Sequence, residues 1–105
     1  MKKISWMARQ GDVLLLAVDT IPAEARAHRR PVDTGRVILA YGEVTGHAHA
    51  LAEGSAVGYG PSDDAFWLDV EPGATVTHEE HATITIPRDV RFVEVKTRQS
   101  LAFGY

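Results

Sequence analysis

With 105 residues, a formal net charge of −3 and no cysteine, the chain has the size of one domain, residues 1–105, and an ordinary globular composition. The acidic balance gives no electrostatic reason to expect nucleic acid as a partner. The lack of thiols excludes disulfides, thiolate zinc sites, iron–sulfur clusters and a cysteine nucleophile, so any metal must be held by imidazole nitrogen or carboxylate oxygen.

The first residues, "MKKISWMARQGD", reach Arg9, Gln10 and Asp12 before a signal-peptide apolar run forms. The longest apolar run, Val13 to Val18, is far too short to span a membrane, so a cytoplasmic location with no membrane association is expected. Residues 12–18 ("DVLLLAV") read as a buried strand. Residues 20–31 form a polar connection between Pro22 and Pro31, with room for one helical turn around residues 23–28. Its basic cluster, Arg26, His28, Arg29 and Arg30, reads as a solvated loop. Strands follow at 36–42, at 47–52 (opened by Gly46), at 55–60 after the turn at Glu53-Gly54, and at 65–70 after "PSDD". Pro72-Gly73 is a strong turn. Residues 74–78 and 81–87 alternate Thr with Val, Ile or Ala, the period of a half-buried strand, and 90–98 alternates again after a turn at 87–89. The tail "QSLAFGY" is expected to pair at an edge or lie against the other strands. About seven or eight short strands with tight turns predict an all-β fold, a small single-domain β-barrel or sandwich. Closure would remove the exposed edges that so many strands create.

Four of the five histidines lie in two short stretches, "HAH" at 47–49 and "HEEH" at 78–81. Side chains alternate across a strand, so His47 and His49 share a face if 47–52 is extended, and two imidazoles on one face can hold one ion. If 74–86 were one straight strand, His78 and Glu80 would join the interior face and His81 would point away. If Glu79-Glu80 form a bulge or tight turn, His78 and His81 converge. The sequence leaves both open. Histidines with a carboxylate suit a divalent transition metal: zinc, iron, manganese, nickel or copper. Glu79, Glu80, Glu53 and Glu43 are the candidate bases beside it. The competing readings are a hydrogen-bonded polar cluster, a pH-sensitive interface, or unrelated surface histidines.

"HAHALAEGSAVGYG" resembles part of the first cupin motif: His-x-His, three residues, Glu, six residues, Gly, here His47, His49, Glu53 and Gly60. "EPGATVTH" resembles the Pro-Gly turn and histidine of the second, with His78 in the ligand position. That resemblance implies a cupin-like β-barrel with a metal held by His47, His49, Glu53 and His78, with His81 and Glu80 as additional groups. The chain is also similar to small uncharacterised bacterial and phage-associated proteins that combine "GDVL…IP", "TGHAH" and "HEEH" followed by "IP". This second resemblance implies that the two histidine pairs act as one unit.

Two function classes follow. One is a metalloenzyme, a cupin-like hydrolase, isomerase or oxygenase acting on a small-molecule substrate, with metal ligands His47, His49, His78, His81 and Glu53 and with Glu80 or Glu79 as a further ligand or a base. The other is a non-catalytic accessory or assembly module, in which the histidines stabilise the fold or a homo-oligomer interface. An open coordination position beside a pocket separates the first from the second.

Overall fold

The computed structural model describes residues 5–42, 44 and 46–97. Its strands are β1 (Met7–Gln10), β2 (Val13–Val18), β3 (Arg36–Tyr41), β4 (Ala48–Ala52), β5 (Ala56–Tyr59), β6 (Ala65–Val70), β7 (Thr75–Val76), β8 (Ile84–Thr85) and β9 (Phe92–Lys96). The helical turn expected near residues 23–28 is a single 3₁₀ turn, Ala25–Ala27, and a second caps β4 at Glu53–Ser55. The all-β expectation holds. No helix among the described residues is long and apolar enough to cross a membrane.

Five strands make an antiparallel sheet in the order β1-β2-β9-β6-β5. Strands β6 and β9 alternate buried and half-exposed residues, as their sequences require. Their inward side chains, Phe66, Leu68, Val70, Val93 and Val95, join Val13 and Leu15 of β2 in one core. Each such side chain contributes about 1.5–3 kcal/mol when taken from water.

The facing layer is built from smaller ladders. Strands β3 and β4 pair antiparallel, and β7 pairs β8. Between them stands one bridge, in which the Ala50 amide donates to the Thr77 carbonyl (3.0 Å) and the Thr77 amide donates back (2.9 Å). Val37, Leu39, Leu51, Val76 and Ile86 carry this layer into the same core. The arrangement is two layers across one core. Among the described residues no sheet closes into a barrel, and β1 and β5 remain edges of the larger sheet.

The structure decides one alternative the sequence leaves open, revises one expectation and adds one strand. Residues 74–86 are not one strand: Thr75 pairs Thr85 and Val76 pairs Ile84, so the chain folds back and sets "HEEH" at the tip of a hairpin. The basic connection is only partly a solvated loop. The Arg30 side chain is 13% exposed; its guanidinium stacks 3.9 Å over the Phe66 ring and pairs with Asp63 at 2.6 Å. Strand β1, "MARQ", carries no β-branched residue and is held by backbone pairing to β2, which composition does not announce. The tail expected at an edge lies outside the described residues.

Candidate functional site

Three segments bring their polar ends to one corner. The first is the β1–β2 hairpin, whose two-residue loop is Gly11-Asp12, closed by the Gln10–Val13 pair. Gly11 has φ +55°, a left-handed conformation that glycine adopts without steric cost. A Cβ there would stand 2.8 Å from His81 Nε2 and 3.3 Å from His49 Cε1. The hairpin backbone is therefore the floor under two imidazoles, and only glycine lets it approach so closely.

The second segment is the start of β4. His47 precedes the strand and His49 lies within it. A bulge in β3 between Ile38 and Ala40 shifts the register, placing Ala40 opposite His49. Such a bulge re-aims the side chains beside it. The Gly42 amide donates to the His47 carbonyl at 2.8 Å, and a Cβ on Gly42 would meet His47 Cβ at 3.1 Å and His78 Nε2 at 3.3 Å.

The third segment is the β7–β8 hairpin tip. The bend at Glu79-Glu80 brings His78 and His81 to a centroid separation of 4.7 Å, the convergent alternative of the two the sequence left open. His78 is the hub. Its ring centroid lies 4.3 Å from that of His49 and 6.1 Å from that of His47, and His49 and His81 stack at 5.8 Å. The pair expected to act together, His47 and His49, is thus joined through His78.

Glu79 locks this tip to β4. Its Oε1 accepts the Ala48 amide, between His47 and His49, at 2.9 Å. That bond holds its carboxyl below the usual carboxylate range, so Glu79 is an anchored anion and a weak base. Glu80 is different. Its Oε2 stands 3.5 Å from His47 Nδ1, its side chain is 57% exposed, and its carboxylate remains available. His47 Nδ1 is buried and makes no hydrogen bond despite that proximity.

His49 is 5% exposed, and burial, followed by the neighbouring His78 and His81, lowers its pKa to about 4. It is therefore neutral at physiological pH, the form in which imidazole binds metals. Beyond His49 and Gly42 opens a cavity of about 520 Å³ lined also by Asp12, Arg30, Ile38 and Tyr41. The Tyr41 hydroxyl donates to Asp33 Oδ2 at 2.5 Å, which raises the phenol's pKa.

Not every sequence candidate arrives. Glu53 sits in the 3₁₀ turn at the far end of β4 and lines a separate recess with Pro72, Arg88 and Arg91. Six strand residues beyond His47 is on the order of 20 Å, out of reach of a common ion. Of the four residues the cupin resemblance carried over, three converge and Glu53 does not. Glu43 lies outside the described residues. Gln10 and Gly11 escaped the sequence reading, although Gly11 was visible as the first residue of "GDVL". Although the four rings gather, no three His, Asp or Glu side chains among the described residues stand in the geometry of a ligand set. The nitrogens look elsewhere: His78 Nδ1 accepts the Glu80 amide at 3.0 Å, and His49 Nδ1 faces Gln10.

Residues 9–91 match the family described as domain of unknown function DUF8820. The chain belongs to that family. The matched part of the DUF8820 domain contains Gln10, Gly11, Gly42 and all four clustered histidines, so the corner lies wholly inside it. No curated protein and no solved structure matches the chain.

Proposed function

We propose that this DUF8820 domain binds one divalent transition-metal ion (zinc, iron, manganese, nickel or copper) through His47, His49, His78 and His81. The observation that carries the reading is the convergence of four imidazoles from two chain segments on the hub ring of His78. Two further features fit. His47 Nδ1 is a buried nitrogen that makes no hydrogen bond, and His49 is held neutral by burial. Imidazole nitrogen suits borderline ions of this series. His78 Nδ1 is held by the Glu80 amide, so coordination through that nitrogen would release this bond.

The cavity beside His49 favours a site that serves a small-molecule substrate over a closed structural clasp. In that role the ion would supply Lewis acidity. Glu80, exposed and next to His47, would hold or move a proton, while Glu79 stays charged and keeps the hairpin tip on β4.

Elemental analysis of protein purified without a histidine tag, together with calorimetric titration of zinc, nickel and copper, tests the reading. One ion per chain is expected for the native protein, with uptake lost in His78→Ala and weakened in His47→Ala. No bound ion above background and no uptake by the native chain would overturn it.

A further inference from the structure

A glutamine amide has two different ends: its nitrogen only donates hydrogen bonds and its oxygen only accepts them. Gln10, at the end of β1, is 3% exposed, so both ends need partners. Its Nε2 lies 3.1 Å from the Val76 carbonyl and 2.9 Å from the Ala82 carbonyl. Two carbonyl oxygens can be satisfied only by the NH₂ end, which uses both its protons. The Oε1 end therefore faces His49 Nδ1, at 2.7 Å. An oxygen without a proton can meet that nitrogen favourably only if the nitrogen donates.

We infer that Gln10 is a positioning residue that fixes His49 as the Nδ1–H tautomer and thereby leaves its Nε2 as the nitrogen with a lone pair free to coordinate. The role in metal binding rests on the function proposed above; the tautomer does not. A second consequence lies in the two carbonyls. Val76 precedes "HEEH" and Ala82 follows it, so one side chain brackets the turn that carries His78 and His81 while orienting His49. The same amide thus sets the relation between the two histidine stretches. Outer-sphere partners of this kind fix ring orientation, and their loss typically weakens metal binding by about 10- to 100-fold.

Long-range proton–nitrogen correlation spectra of the metal-free native protein, at a pH where His49 is neutral, decide the tautomer directly. The expected result is a protonated, pyrrole-type Nδ1 and a bare, pyridine-type Nε2. A protonated Nε2 with a bare Nδ1 overturns the inference. Gln10→Leu, close in size and without polar atoms, should lose the tautomer preference and weaken zinc binding by roughly 10- to 100-fold. Native tautomer and zinc affinity in a folded Gln10→Leu protein would also overturn it. If Gln10→Leu does not fold, the spectrum of the native protein alone decides between the two tautomers. If the native chain takes up no zinc but His49 carries its proton on Nδ1, the bond to Gln10 stands and only the metal reading falls.

Discussion

The five-stranded sheet and the histidine corner use the same backbone geometry for opposite ends. In the sheet, long ladders send alternate side chains inward, and stability rests on area removed from water. In the corner, β7 and β8 pair over two residues each, the ladder stops, and the freed chain places rings rather than methyl groups. Strand pairing therefore locates the site by where it ends. The division predicts that stability and binding should separate under mutation.

The largest stability effect should come from the sheet. Phe66 is fully buried on β6 beneath the Arg30 guanidinium. Phe66→Ala is expected to cost about 3–5 kcal/mol in denaturant unfolding, with ion stoichiometry unchanged in whatever fraction stays folded. A comparable loss of ion uptake in folded protein would erase the distinction between the two regions.

Next in size is the acid response of the corner. His49 faces His78, His81, Glu79 and Asp12, and its folded pKa of about 4 lies below the ordinary value of 6.5. Below pH 6.5 the unfolded chain binds the proton more readily. Stability of the metal-free protein should therefore hold at neutral pH and fall as pH drops towards 4, by about 1–2 kcal/mol after allowance for solvent screening. His49→Gln should flatten that slope in urea melts taken at several pH values.

Gly42→Ala sharpens the comparison from the binding side. The added methyl would press on His47 and on His78 Nε2. Zinc affinity should fall roughly tenfold by calorimetry, while unfolding free energy changes by less than about 1 kcal/mol. The smallest effect is expected at Arg91, a 70%-exposed side chain bonded to Asp69 of β6. Exposed ion pairs contribute little, so Arg91→Ala should leave both the urea midpoint and zinc binding at their native values.

The sheet was largely legible in the sequence because its signals are local. Alternation marks 65–70 and 92–96, and an apolar run marks 13–18; in the facing layer a second apolar run marks 36–41. Strand β1 was not, because a polar edge strand is defined by its partner rather than by its own residues. The corner was legible as a list of rings but not as an arrangement. Alternation in "ATVTHEEHATITI" fits a straight strand and a hairpin equally well. What decides is the Thr75–Thr85 pairing and the Glu79 bond to Ala48, both set by the fold. Glu53 looked close to His47 in sequence, yet an extended strand turns six residues into a long distance. Gln10, 39 positions from His49, carries no motif, and its part depends on three partners supplied by tertiary structure.

The bridge between Ala50 and Thr77 has a dynamic consequence. Two reciprocal hydrogen bonds, just inward of the histidines, join the β3–β4 ladder to the β7–β8 hairpin. Separation of the ladders exposes these two amides together, so their solvent exchange reports the opening of the corner. An ion shared by His49 and His78 would hold both sides closed. Its arrival should slow deuterium uptake at Ala50 and Thr77, two backbone positions that bind no metal.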